Sequence, residues 1–181
     1  MKETILDIVD DEENIIGKAT FTEAHEKNLL HRTSAILVFN NDDCNEFLVD
    51  QRSKKVRLPG MYGLPGGHVD SGENPLEAVK REFAEEVLDL KELPEELDEK
   101  LDFEFILKTK KDWDDDLEII YLYKVIYKGE VKPSSESERL FYKSLSSVFD
   151  DIEANNPKYL GTLKGLLKLY REHELNKNKC C

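Results

Sequence analysis

GGHVDSGENPLEAVKREFAEEVLDL, residues 66–90, reads as a glycine turn feeding one well-marked helix. Asn74 suits the N-cap, Pro75 the first helical position, and Glu77 stands where a capping box puts its acid. Leu76, Val79, Phe83, Val87 and Leu90 recur at helical spacing and predict one core-facing stripe. Glu82, Glu85 and Glu86 fall on the other side at i, i+3 and i+4, so three carboxylates point into one small region. Like charges at i, i+4 cost a helix roughly 0.2–0.5 kcal/mol per pair. A hard divalent cation reverses that sign by taking carboxylate oxygens. Arg81, four residues after Glu77 and four before Glu85, can brace the cluster from one side. On spacing alone, a solvated acidic helix face is the competing account.

Outside this stretch, composition sets bounds. The chain has 181 residues, enough for one compact domain, with 39% hydrophobic and 36% charged residues. Its 26 basic and 39 acidic residues give a net charge of −13. That balance argues against a nucleic-acid polymer as partner, because such binding rests on basic residues neutralising phosphates. No stretch is long and apolar enough to span a bilayer, and the start, MKETILDIVDDEEN, is too acidic for a signal peptide. Three cysteines, Cys44, Cys180 and Cys181, form no disulfide or zinc pattern, so a reducing cytoplasm is the expected setting.

In chain order, residues 4–9 predict a strand and Ile15–Ala19 its hairpin partner. Phe21–Leu30 holds His25 in a short helical segment. SAILVFN, residues 34–40, is a continuous apolar run and predicts a buried central strand, with Phe47–Gln51 the next. Residues 51–60, QRSKKVRLPG, are the dense basic stretch before the glycine turn. Arg52, Lys54, Lys55 and Arg57 there form a candidate clamp for phosphate oxygens, Arg52 foremost. Lys91–Lys100 reads as a linker with a helical turn. Leu101–Thr109 and Leu117–Tyr127 predict strands joined by an acidic turn around Trp113. Val131–Arg139 reads as a turn-rich loop and Leu145–Ile152 as a short helix. Asn156-Pro157 opens a longer helix with Leu160, Leu163, Leu167 and Tyr170 on one stripe, and His173 is expected to face solvent.

Gly67, five residues, Glu73, seven residues, then Arg81-Glu82-Phe83-Ala84-Glu85-Glu86 resembles the Nudix box, G-x5-E-x7-R-E-U-x-E-E-x-G-U with U a bulky apolar residue. Two positions depart. Leu88 replaces the glycine that normally ends the helix in a left-handed cap, and Asp89 replaces the apolar residue after it, so the helix is expected to run on to Leu90. Glu23-Ala24-His25, Leu30-His31-Arg32 and Gln51-Arg52 are similar to the branch that contains isopentenyl-diphosphate isomerases. His25, His31 and His68 fall at positions similar to that branch's three metal-binding histidines, and Asp116 and Glu118 look like its two acids. The isomerase pattern wants Cys-Gly-His before the box, where this chain has Gly66-Gly67-His68.

The resemblance implies an α/β fold, an α/β/α sandwich around a mixed sheet, with one domain over residues 1–175; the terminal stretch 176–181 is itself expected to be a disordered tail. It implies Mg²⁺ or Mn²⁺ held by Glu82, Glu85 and Glu86, with Gly67 and the histidines His25, His31 and His68 as further metal candidates. Glu73 and Arg81 would orient the carboxylates. Glu85, Glu118, Glu136 and Glu138 are candidate general bases. Arg52, Lys54, Lys55, Arg57, Gly66 and Gly67 would hold the substrate. The implied activity is hydrolysis of the diphosphate linkage of a nucleoside diphosphate joined to another moiety, by a monomer or homodimer with small-molecule partners. Isomerisation of isopentenyl diphosphate and non-catalytic nucleotide sensing are the alternatives.

Overall fold

The structure, a computed structural model, describes residues 3–111 and 116–177. The turn around Trp113 and the Cys180-Cys181 pair lie outside the described residues.

The apolar run predicted to be central is strand β3, His31–Phe39. Ala35, Leu37 and Phe39 pack on one side with Leu163, Leu166, Leu167 and Tyr170 of helix α5, Gly161–Lys177. Ile36 and Val38 pack on the other side with Val79, Phe83 and Val87 of the box helix. The run is continuous because both faces of the strand are covered, and alternation serves two cores at once.

Around β3 lies a mixed sheet of nine strands among the described residues. The hairpin β1 (Ile5–Val9) and β2 (Ile15–Thr20) flanks it on one side, and α1 (Phe21–Glu26) follows directly. β4 (Glu46–Arg52) pairs antiparallel with β3, with β5 (Tyr62–Gly63) and with β9 (Ser137–Ser144). The short β6 (Gly66–His68) pairs antiparallel with the start of β3. β8 (Glu118–Ile126) runs parallel to β3, in register from His31↔Glu118 to Phe39↔Ile126, and β7 (Glu104–Lys111) is its antiparallel neighbour.

Helix α2, Pro75–Glu82, forms the predicted capping box. Asn74 Oδ1 accepts from the N–H groups of Leu76 and Glu77, and Glu77 Oε2 accepts from the Asn74 N–H at 2.8 Å. The helix then widens into a π turn, Phe83–Val87. It does not run on to Leu90. Asp89 takes the left-handed conformation (φ 55°) and the Leu90 N–H returns to the Ala84 carbonyl. The wide turn holds one residue more than an α turn, which moves the left-handed position from 88 to 89, where aspartate tolerates it. Leu76 and Leu90, at the two ends of the predicted stripe, are exposed.

Other expectations are corrected. The loop assigned to Val131–Arg139 ends early, because Ser137–Ser144 is strand β9, whose polar SERLFYKS hides the pattern. A short α3, Glu95–Asp98, is the helical turn expected within Lys91–Lys100, and α4, Leu145–Glu153, is the expected short helix. The last helix begins at Gly161 rather than at Asn156, since Tyr159 bridges to Tyr62 of β5 first. Asn176 and Lys177, placed in the tail, belong to α5, and Lys177 pairs with Glu104 at 2.8 Å. His173 is half-buried rather than solvent-facing.

Candidate active site

Three consecutive residues of β6 each touch a different part of the site. The Gly66 N–H donates to Glu86 Oε2 at 2.7 Å. A Cβ on Gly67 would lie 2.3 Å from Glu82 Oε1, so the Glu82 carboxylate rests against bare backbone. The His68 Nε2 meets His25 Nε2 at 3.0 Å.

On the box side, one guanidinium gathers the acids. Arg81 donates to Glu73 (3.1 and 3.0 Å), to Glu82 (2.7 Å), to Glu85 (3.3 Å) and to the His68 carbonyl (2.8 Å). Burial works against the Arg81 charge, but the bonds to Glu73 and Glu82 hold its pKa above the ordinary value. Burial pushes Glu82 up to about 7 against the pull of Arg81. Glu86 is also raised, by loss of solvent first and by the nearby Glu82 second. Glu136 adds its charge to both. Raised carboxylates crowded beside one another are the groups a divalent ion would relieve.

On the other side of β6 the histidines converge. α1 is capped by Thr20, whose Oγ1 accepts from the Glu23 N–H at 3.2 Å, and it carries His25 toward β3. Sheet register brings the rest. His31 sits opposite Glu118 on β8, Glu118 sits opposite Lys111 on β7, and His68 sits opposite Thr33. The ring centroids of His25, His31 and His68 stand 5.0–5.2 Å apart. His31 Nδ1 bonds the Leu29 carbonyl at 2.7 Å, while its Nε2 is buried without a hydrogen bond. His25 Nδ1 bonds Asp116 Oδ1 at 2.8 Å. Burial, then the neighbouring imidazoles, take His68 down to about 3, and burial lowers His31. Both are therefore neutral near pH 7, the state in which imidazole ligates metal.

Among the described residues, the groups of three donors close enough to share one ion are His25, His31 and His68, and His31, Asp116 and Glu118. The box glutamates are in neither: Arg81 Nη1 stands between Glu82 and Glu85, and Glu86 is turned to the Gly66 N–H. The orphaned His31 nitrogen and the neutral imidazoles fit a divalent ion at the histidine set. The raised Glu82 and Glu86 fit one at the box.

A cavity of about 170 Å³ opens beside β6, and Arg52, His68, Lys111 and Glu118 are among the side chains that line it. Leu64, Leu160, Leu163 and Leu166 add apolar surface to its wall. Arg52 reaches it from the end of β4. Lys54, Lys55 and Arg57 do not line it and are exposed, because the chain turns away after Ser53, with the Arg57 carbonyl accepting from Arg52 Nε at 2.8 Å. Of the predicted clamp, the structure brings Arg52 alone to the cavity.

The NUDIX domain family matches residues 29–160. The chain belongs to that family. The Nudix chain is 36% identical over 90 residues to an uncharacterised Nudix hydrolase of Clostridium acetobutylicum, covering 48% of this chain and 43% of that protein. It is 34% identical over 85 residues to an isopentenyl-diphosphate Δ-isomerase of Serratia proteamaculans, covering 46% of each. These matches span less than half the length of either relative. Among solved structures, DR0079 of Deinococcus radiodurans shares the fold with a TM-score of 0.72 at 18% identity, covering 91% of this chain and 97% of that one. The α/β/α sandwich of this Nudix chain is thus the architecture expected from the box.

Sequence reading missed three residues. Lys111 lies beyond the strand expected to end at Thr109, and only strand register reveals its acid neighbours. Asp50 is 6% exposed with its Oδ1 unpartnered, and its charge reaches Glu86; alternation along β4 places it on the Leu48 face, toward the box helix. Asp7 is buried against the turn that opens the box.

Proposed function

We propose that this protein hydrolyses the diphosphate linkage of a nucleoside diphosphate joined to another moiety, in the presence of Mg²⁺ or Mn²⁺. The observation that carries this reading is the complete acid row, with Glu73, Glu82 and Glu85 gathered by the Arg81 guanidinium, Glu86 bonded to the Gly66 N–H and Glu82 resting against Gly67. A bound divalent ion supplies Lewis acidity toward the phosphoryl oxygens and neutralises the diphosphate. Glu82 and Glu86 hold it, with Glu85 at the more open edge of the cluster. Arg81 keeps the carboxylates oriented and Glu73 fixes Arg81. Glu85 is well placed to take a proton from the attacking water, since its side chain is 45% exposed and its bond to Arg81, at 3.3 Å, is the longest that the guanidinium makes. Glu136, an exposed acid beside Glu82 and Glu86, is the second candidate for that proton. Arg52 holds a phosphate from the cavity wall.

Isomerisation of isopentenyl diphosphate is the second reading. The meeting of His25, His31 and His68 with Asp116 and Glu118 favours it, as does the partial match to an isomerase. Gly66 counts against it. Its φ is 145°, and a Cβ there would lie 2.2 Å from the Ser34 carbonyl oxygen, which leaves no room for a thiol-bearing side chain. One assay separates the two. The protein is incubated with Mg²⁺ or Mn²⁺ and a panel of nucleoside-diphosphate-linked compounds, beside isopentenyl diphosphate, and followed by phosphorus and proton NMR. Release of a nucleoside monophosphate, abolished by chelator, is expected. Double-bond migration without phosphate release would establish the second reading, and inertness toward the whole panel would refute both.

A further inference from the structure

Lys111 is 5% exposed, at the last position of β7. A lysine is seldom this deeply buried without acidic partners. Its Nζ stands 3.4 Å from Asp116 Oδ2 and 3.3 Å from Glu118 Oε2. Those two carboxylates also face the histidines. Asp116 gives its other oxygen to His25, and Glu118 Oε1 is 3.9 Å from His31 Nε2. Strand register makes this a fixed row, with His31, Glu118 and Lys111 side by side on β3, β8 and β7. The ammonium therefore stands on the oxygens that a divalent ion between the histidines would use, and it halves the negative charge that the acid pair offers.

We propose that Lys111 is a built-in cation that competes with divalent metal at the site formed by His25, His31, His68 and Glu118. This inference rests on reading those residues as a metal site. An ion bonded to Glu118 and His31 stands within a few ångströms of Lys111 Nζ, where two positive charges repel strongly at low dielectric. Metal enters only as the lysine leaves its two carboxylates. Lys111 also lines the cavity with Arg52, so the displaced ammonium has an anionic substrate as its alternative partner. His31, 1% exposed, is ready for the ion. Its Nδ1 gives its proton to the Leu29 carbonyl, which leaves the unpartnered Nε2 with a free lone pair.

The test uses Co²⁺, whose visible absorption reports nitrogen ligation and is not mimicked by the carboxylates of the box. Wild type, Lys111→Met, Lys111→Gln and Lys111→Met/His31→Ala are titrated, with circular dichroism to verify folding. Removing the charge should raise Co²⁺ affinity at least about tenfold, and the double variant should lose the absorption band. Equal or weaker binding by both single variants, with a band still dependent on His31, would overturn the role of Lys111 and leave the metal site standing. No band in any protein would sink the metal site and the inference together. Wild-type crystals soaked in Co²⁺ give an independent answer if the variants fold poorly: Lys111 Nζ should have left Glu118, and an ion seated with that pair intact would refute the proposal.

Discussion

The Gly66 backbone N–H donates to the Glu86 carboxylate at 2.7 Å and ties β6 to the box helix. The bond depends on backbone that only glycine adopts with ease, at φ 145°, and on close approach to β3, where a Cβ would meet Ser34 O at 2.2 Å and Ala35 Cα at 2.8 Å. Gly66→Ala should therefore destabilise the fold by about 2–4 kcal/mol, from strain and overpacking together. Gly66→Cys should do the same and gain no isomerase activity, although it restores the residue an isomerase needs. Urea unfolding and proton exchange on isopentenyl diphosphate measure both. A Gly66→Cys protein as stable as wild type would show that β6 has room the structure denies it.

Glu82 carries a pH signature. Its folded pKa, about 7, lies above the ordinary 4.5, so the folded state binds this proton more tightly than the unfolded chain does. Without metal, stability therefore falls as pH rises from 4.5 to 7, by at most about 3 kcal/mol for a displacement of that size. His68, held near 3, acts oppositely, adding stability as pH rises from 3 to 6.5, so the wild-type curve is a composite. The difference between proteins isolates Glu82. Metal-free Glu82→Gln should melt above wild type at about pH 8, with the gap closing toward about pH 5. Saturating Mg²⁺ should raise wild type more than the variant. Parallel melting curves across that range would refute the assignment.

What could be read from the sequence divides along a physical line. The box helix was legible because its signals are local: Asn74, Pro75 and Glu77 lie within four residues, and Val79, Phe83 and Val87 repeat at helical period. β3 was legible as an apolar run covered on both faces. Strand β9 was not, since Ser137–Ser144 alternates weakly and contributes half-buried residues. The histidine site came from resemblance and not from spacing, as His25 arrives from a helix and His31 and His68 from two different strands. Lys111 needed register, which the chain encodes only through pairings far apart in sequence, and Asp50 needed to be known as facing the box helix with Leu48. The basic stretch misled for the same reason: a run of like charge says nothing of which side chain faces the cavity, and Arg52 is the one that does.

Glu85 and Arg81 should fail in different ways. Glu85 contacts Arg81 and leaves nearly half of its side chain to solvent, so Glu85→Gln should keep the fold and lose about 10²–10⁴ in kcat if it takes the proton. Arg81→Lys keeps a charge but cannot bond Glu73, Glu82, Glu85 and the His68 carbonyl together. Its deficit should appear as metal affinity about 10–100-fold weaker. Steady-state kinetics over a Mg²⁺ titration separate the two. Full activity in Glu85→Gln would pass the proton to Glu136, and Arg81→Lys with wild-type metal dependence would remove Arg81 from its organising place.

Asp7 tests whether the box turn is held from outside the box. It is buried in β1, with Oδ1 accepting from Ser71 Oγ at 2.7 Å and Oδ2 from the Gly72 N–H at 3.1 Å, and Arg32 and Lys18 lie 3.4 and 3.7 Å away. Burial alone would raise its pKa, but the bonds from Ser71 and Gly72 and the two cations hold it below the ordinary value of 3.8. A depressed carboxylate stabilises the fold above its unfolded pKa, and that contribution disappears as pH falls through the folded value. Asp7→Asn should thus cost about 1–3 kcal/mol at pH 7, with the difference shrinking as pH drops below 3.8. Because Ser71 and Gly72 lead into Glu73, the same change should weaken Mg²⁺ binding without removing any acid of the box. Urea unfolding at several pH values and calorimetric Mg²⁺ titration check the two halves. A loss of stability with unchanged Mg²⁺ affinity would mean that Asp7 anchors the hairpin alone and that the box turn holds its own shape.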